Sequence, residues 1–339
     1  MMKAARFVGV HQIEILEEVL PKPKSDEILL KVMASGVCGT DLHIYEGKIK
    51  GLAKPGTILG HEFAGIVEAV GENVKEFHVG DPIAVEPNLF CGKCHYCRTS
   101  KKHFCEHWEA IGLARDGGFA EYCVIPTQAA YSIPKGLSFE TAAFFEPMAC
   151  VLHGIERGRI KLGETIVLQG AGSIGQLYIQ ALRQCGVTKI IVSEIDDSKL
   201  RLAKELGANV VVNVRNENLV DVVKAETDGR GAQVMIDAVG LLSTIPTALE
   251  LLENTGRVVI FGVPPEGEKI EFSPFDIYRR EIDVIGSFTN PYTNEAALKI
   301  LKKIDISPIL TNQIKLEELV EKGLKIMRKP GVLKVQVQF

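Results

Sequence analysis

The chain has 339 residues, of which 46% are hydrophobic and 24% charged, and its formal net charge is −4. Such a length exceeds what one hydrophobic core usually supports and favours two domains. The mildly acidic balance gives no electrostatic ground for a nucleic acid or an acidic membrane surface as partner. No apolar run reaches the length of a membrane span, and MMKAARFVGV lacks the secretory pattern, so a cytoplasmic setting is expected. In a reducing compartment the eight cysteines are read as metal ligands or catalytic groups before disulfides.

Over the first 150 residues, EILLKVMASGV (27–37), AGIVEAVG (64–71), DPIAV (81–85) and FAEYCVI (119–125) cluster or alternate apolar residues at strand length between turn residues. This predicts an irregular, mostly β domain with long loops. From about residue 164 the rhythm changes. TIVLQ (165–169) reads as a buried strand, GAGSIGQLYIQALRQCG (170–186) as a glycine turn opening a helix, and KIIVSE (189–194) as a second strand. DDSKLRLAKELGA (196–208) is a second helix and NVVVN (209–213) a third strand, with AQVMIDAVG, GRVVIFG and IDVIGSF continuing the series. Strands alternating with helices at this spacing predict an α/β domain built on a doubly wound parallel sheet. NEAALKILKKI (294–304) and LEELVEKGLKIM (316–327) then read as helices and VLKVQVQF (332–339) as a final strand.

Gly170, Gly172 and Gly175, with Ser173 and Ile174 inside the motif, form G-x-G-x-x-G between a predicted strand and a predicted helix. A dinucleotide site needs a tight turn, then backbone close to pyrophosphate, then close helix–strand packing. The helix N-terminus adds unpaired N–H groups and its dipole. Glu194, at the end of the next strand, stands where a ribose-binding acid belongs. A carboxylate there accepts bonds from both ribose hydroxyls and repels a 2′-phosphate, which favours NAD over NADP. Lys199 and Arg201 follow closely and soften that preference, so Lys199 joins the cofactor-contacting candidates.

Cys91, Cys94, Cys97 and Cys105 supply four soft ligands within 15 residues, enough to close a tetrahedral zinc site with no open position. Such a site stiffens a loop, and the nearby His95, His103 and His107 read as surface residues. A differently composed set lies upstream: Cys38 in G-V-C-G-T-D-L-H, and His61-Glu62 in G-H-E-F-A-G. Cys38 and His61 could be a buried thiol and a core histidine. As a metal set with Glu62 they suit a catalytic zinc, which keeps three protein ligands and one exchangeable position. Zinc makes a bound hydroxyl acidic enough to lose its proton near neutral pH.

G-H-E-x-x-G with an upstream C-G-T-D, the four-cysteine lobe and the glycine turn resembles the zinc-dependent medium-chain dehydrogenase/reductase family over essentially the whole chain. Within it the chain is most similar to the polyol (sorbitol-type) and L-threonine 3-dehydrogenase branch. The resemblance implies a GroES-like, mostly β catalytic domain from 1–153 and 290–339, around a Rossmann NAD-binding domain at 154–289. It also implies a catalytic zinc on Cys38 and His61, with Glu62 as a direct or intermittent third ligand, and a structural zinc on the four cysteines. Glu146, in F-F-E-P-M, would bind the catalytic zinc or orient its water. Primary-alcohol enzymes of the family carry a cysteine where Met148 stands here, and Cys150 is the reserve ligand. Thr40 and His43 resemble the family's proton relay, which runs from the threonine hydroxyl by way of cofactor ribose to the histidine. Asp41 orients its neighbours, and His153 packs a helix. A homo-oligomer, tetramer or dimer, is expected.

The function so implied is NAD-linked oxidation of a small-molecule secondary alcohol on a polyol or sugar derivative. C-G-T-D-L-H-I-Y-E also resembles threonine enzymes, which makes L-threonine oxidation the alternative, whereas E-P-M-A-C-V-L-H-G and S-F-T-N-P-Y-T resemble sugar-alcohol dehydrogenases. Sorbitol enzymes carry arginine and tyrosine where this chain has Thr289 and Asn290, which points to a different polyol or its phosphate. A non-catalytic NAD- or redox-sensing protein on the same fold would ordinarily have lost a zinc ligand or the relay. Neither is missing.

Overall fold

A computed structural model describes residues 1–49 and 51–339, which divide into two units, Met1–Ala149 with Asn290–Phe339, and Cys150–Thr289. The first division falls after Ala149, inside the helix Phe145–Arg157, rather than after residue 153.

The first unit is organised by the 11-residue strand Glu27–Val37. One edge pairs antiparallel with Glu62–Val70. The other takes Tyr122–Pro126 along its first half and Lys334–Gln338 along its last residues. Pro82–Val85 and Ala130–Ser132 extend the sheet beyond Glu62–Val70, and Leu310–Ile314 extends it beyond Lys334–Gln338. Alternation drives the packing: Ile28, Leu30 and Val32 are fully buried in one cluster with Phe63, Val67, Ile83, Val85 and Ile125. A separate sheet joins Gln12–Glu18, Met2–Gly9 and Thr57–Ile58. Its hairpin lies before the first strand read from the sequence. Gln12–Glu18 has no fully buried position, which is why its hydrophobic signal is weak.

The second unit has six strands, all parallel, in the order Val210–Asn213, Lys189–Glu194, Thr165–Gln169, Ala232–Asp237, Leu252–Ile260, Asp283–Gly286. Chain progress reverses between Thr165–Gln169 and Ala232–Asp237, the switch point at which open α/β sheets bind ligands. Ile166, Val167, Leu168, Ile190, Ile191 and Val192 are all fully buried, as strands covered on both faces require. The helix Ser173–Gln184 opens directly after the glycine turn. Asp197–Glu205 is capped by Asp196, whose Oδ1 accepts the Ser198 N–H at 2.8 Å.

One predicted helix takes another form. Residues 316–327 make two short 3₁₀ turns, Leu316–Glu318 and Leu324–Ile326, around a π-type turn at Leu319–Gly323. Its buried leucines, Leu316, Leu319 and Leu324, are spaced three and then five residues apart, and a widened turn lets all three face inward. Among the described residues no helix is long and apolar enough to cross a membrane.

Candidate active site

Cys38 follows the last residue of Glu27–Val37 and precedes the helix Gly39–Tyr45, with extended backbone at φ −102°. Its N–H donates to Asp41 Oδ2 at 2.9 Å. The other oxygen of this fully buried carboxylate, Oδ1, faces His61 Nδ1 at 3.5 Å, a distance for charge attraction rather than a hydrogen bond. His61 precedes and Glu62 begins the neighbouring strand, where Glu62 sits in register with Gly36. Strand pairing therefore gathers the thiol, imidazole and carboxylate, and their donor atoms lie within 4.8 Å of one another.

The donor set fits a zinc ion by its chemistry: a soft sulfur, an imidazole nitrogen and an oxygen, with a buried carboxylate behind the histidine. Its electrostatics fit as well. Burial alone would lower the pKa of His61, but the Asp41 and Cys38 charges outweigh it and hold the value well above 6.5. Lys334 behaves likewise: burial lowers its pKa, while Glu62, Cys38 and Glu146 raise it by more. Its Nζ forms an ion pair with Glu62 Oε2. The pocket is anionic and buried, and a divalent cation neutralises it.

Glu146 is half-buried in the first turn of Phe145–Arg157. It is not one of the three mutually close donors, and its charge is felt instead at Lys334. Met148 is fully buried, and Cys150 belongs to the second unit, as does the buried His153. Thr40 and His43 share the helix Gly39–Tyr45 and are half-buried. Burial, then the charges of Lys48 and Arg328, pull the His43 pKa below 6.5, so its ring is neutral at physiological pH.

The sulfurs of Cys91, Cys94, Cys97 and Cys105 form a second group, also within 4.8 Å of one another. Cys94 Sγ lies 3.9 Å from Cys105 Sγ, which also accepts the N–H groups of Cys91 and His107, each at 3.3 Å. Amide bonds from Cys97 and Glu106 draw the Cys94 thiol down to about 6, while burial and the Cys94 sulfur push Cys97 up to about 12. Four sulfurs this close do not all ionise without a cation among them.

In the second unit the glycines divide their tasks. Gly170 turns the chain at φ +97°. A Cβ at Gly172 would meet nothing within 4 Å, whereas one at Gly175 would collide with the Gly170 carbonyl. Glu194 reaches back across the turn: Oε2 accepts the Ala171 N–H at 3.1 Å and Oε1 that of Ile195 at 2.7 Å. Gln176 Nε2 ties the helix opened by Ser173 and Ile174 to the Lys199 carbonyl at 3.0 Å.

Residues 24–135 match the alcohol dehydrogenase GroES-like domain, and residues 173–303 match the zinc-binding dehydrogenase domain. The chain is 34% identical to the L-threonine 3-dehydrogenase of Caldanaerobacter subterraneus subsp. tengcongensis, across 93% of this chain and 92% of that one. It is 35% identical to the sorbitol dehydrogenase of Bacillus subtilis, across 99% and 97%. The chain belongs to the zinc-dependent medium-chain dehydrogenase/reductase family. A zinc-binding dehydrogenase structure from Sinorhizobium meliloti bound to NADP is 38% identical, with a TM-score of 0.94 over 100% of this chain and 99% of the other. This protein is therefore a nicotinamide-dependent alcohol dehydrogenase, with a GroES-like unit and a Rossmann unit.

Sequence reasoning passed over two residues of this dehydrogenase. Lys334 sits in VLKVQVQF, where a lone lysine on a central strand with Val335 and Val337 was the available signal. Asp237 ends Ala232–Asp237 fully buried, and its carboxylate accepts the Gly240 N–H at 3.1 Å and the Thr244 hydroxyl at 3.0 Å. It fixes the loop beside Gly170, where a Cβ would meet Val239 Cγ2 at 2.8 Å. Because Gly175 packs on the Gly170 carbonyl, Gly175→Ala should open the turn. NADH fluorescence titration is expected to show binding weakened about tenfold or more, roughly 1.4 kcal/mol; unchanged affinity would remove the turn from the cofactor site.

Proposed function

We propose that this dehydrogenase transfers hydride from a secondary alcohol of a polyol or sugar derivative to NAD, with one catalytic and one structural zinc per chain. The observation that carries this reading is the group of half-buried Cys38 with buried His61 and Glu62, donors within 4.8 Å, separate from the four-thiol group. Cys38, His61 and Glu62 hold the catalytic ion, with Glu146 alongside, and Cys91, Cys94, Cys97 and Cys105 hold the structural one. Zinc, when bound, supplies the Lewis acid that makes an alcohol hydroxyl acidic near neutral pH. The cofactor supplies the hydride acceptor.

The chain's own residues do the rest. Asp41 orients the His61 ring through Nδ1 and leaves Nε2 for the metal. Thr40 Oγ1 takes the substrate proton, and the neutral His43 ring, three residues along the same helix, receives it for release to water. Gly170, Gly172, Ser173, Ile174 and Gly175 cradle the pyrophosphate. Glu194 holds the ribose and supports NAD over NADP, with Lys199 as a neighbour.

L-threonine is the second reading, supported by the 34% identical relative and by the segment from Cys38 to Glu46. We also infer a homo-oligomer, supported by the edge strand Asp283–Gly286 with exposed Val284, Phe275 and Tyr278 nearby in the chain. Light scattering is expected to give a dimer or tetramer, and a monomer would remove that inference.

Following NADH absorbance with sugar alcohols, polyol phosphates, butanediol and L-threonine, each with NAD and NADP, tests the main reading. Turnover of a polyol or polyol phosphate with NAD is expected, lost in Cys38→Ser while NADH still binds. Reaction with L-threonine alone would replace the first reading by the second.

The relay has its own pH signature. His43 accepts a proton only when neutral, and its pKa is depressed, so the acid limb of kcat/KM should fall below pH 6.5. Lys48→Met removes a charge that lowers this pKa and should move the limb upward. A limb that stays in place, or survives His43→Ala, would take His43 out of the relay.

A further inference from the structure

We propose that Lys334 is a positioning residue of the metal site, holding one oxygen of Glu62 so that the carboxylate grips the metal weakly and the metal exchanges readily. This rests on the reading that Cys38, His61 and Glu62 hold the ion.

Three adjacent strands make the contact. Glu62 lies on one neighbour of Glu27–Val37 and Lys334 begins the other, so each side chain must cross the central strand to meet. Two strand spacings separate the outer backbones, roughly 9–10 Å. Gly36, paired with Glu62 on one side and Gln336 on the other, is the residue they cross. A Cβ on Gly36 would collide with Glu62 Oε2 and lie 3.0 Å from Lys334 Cε. The bare backbone is what admits the ion pair.

The pair is sealed, with side-chain exposures of 6% for Lys334 and 2% for Glu62. Packing alone does not call for it, since apolar residues of similar volume fill such a space at lower cost than buried charges. What an ammonium does here is electrostatic. It occupies Oε2 and draws charge from the carboxylate, and it places a positive charge close to any cation that Glu62 holds. Removing it frees both Glu62 oxygens and removes that repulsion. The metal should then be held more tightly and leave more slowly. A lysine that merely supported the fold would give the opposite sign, because its loss would loosen the donors.

Zinc release from the holoenzyme into a colorimetric chelator reads this directly, the phase missing from Cys38→Ser being that of the site. Lys334→Met is expected to slow that phase at least about fivefold, from the removal of one adjacent charge. Lys334→Arg, which keeps the charge, should stay within about twofold. On a Glu62→Gln background, Lys334→Met should slow release by less than in the wild type, because only the direct repulsion is then left to remove. Release by Lys334→Met at the wild-type rate or faster overturns the proposal. Should Lys334→Met fail to fold, Lys334→Gln, which removes the charge and keeps a polar end, must slow release as well, and wild-type or faster release from it overturns the proposal equally. If Cys38→Ser loses no phase, the metal assignment fails instead, and the two failures remain distinct.

Discussion

The register between Glu27–Val37 and Glu62–Val70 is the constraint on which the proposed metal site depends. Side chains alternate along a strand, so a slip of one residue would turn Glu62 to the other face and separate it from Cys38. The pairing is irregular at two places, between Leu29 and Leu30 and between Val32 and Ala34, and only after these does Gly36 come opposite Glu62. Such irregularities re-aim side chains near functional sites. Here they set His61 and Glu62 beside Cys38 and the buried Asp41 carboxylate. Bringing that much negative charge out of water is unfavourable unless it is compensated. Lys334 supplies one positive charge from the protein, and a divalent ion at the proposed site would supply two.

The Rossmann unit solves a related problem by different means. The proposed ligand there is an anionic dinucleotide, which backbone N–H groups at the helix start after Thr165–Gln169 would meet. Glu194 accepts the Ala171 amide at one oxygen and the Ile195 amide at the other, and so stiffens the loop it faces. In both units a carboxylate is steadied by a neighbour: Glu62 by Lys334, and Glu194 by the Ala171 and Ile195 amides. Asp237 plays the purely internal version of this role, its acceptors directed to Gly240 and Thr244.

What was legible in the sequence followed from how local each signal is. The glycine motif, the four clustered cysteines and the alternating strands and helices of the second unit are written within short stretches, and the folded chain carries them as read. Cys38 and His61 are 23 positions apart in sequence, yet each lies in a recognisable motif; the runs at 27–37 and 64–71 were legible as strands, while their pairing with each other was not. Lys334 was not legible, because its meaning comes from Gly36, a residue almost 300 positions earlier that matters only through the side chain it lacks. The N-terminal hairpin was obscured by its exposed glutamates. The segment 316–327 misled because its leucines fit a helical repeat until the five-residue step to Leu324.

The same reasoning bears on substrate choice. Sorbitol-type enzymes carry an arginine and a tyrosine where this chain has Thr289 and Asn290. Asn290 is 2% exposed and engaged at both ends of its amide: Oδ1 accepts from Asn88 at 2.8 Å and Nδ2 donates to Glu86 at 3.0 Å. Asn88 in turn accepts the Trp108 indole N–H at 3.0 Å, and Lys102, from the cysteine lobe, lies over the rings of Phe90 and Tyr292. The position has thus become a brace between that lobe and the returning C-terminal segment. A buried amide committed to Glu86 and Asn88 is a poor hydrogen-bonding partner for a polyol, because freeing it would leave a buried carboxylate short of a donor. The Asn290 side chain is therefore already spent within the first unit, and the brace it makes ties the segment around Glu86 and Asn88, next to the four-cysteine lobe, to the returning C-terminal segment.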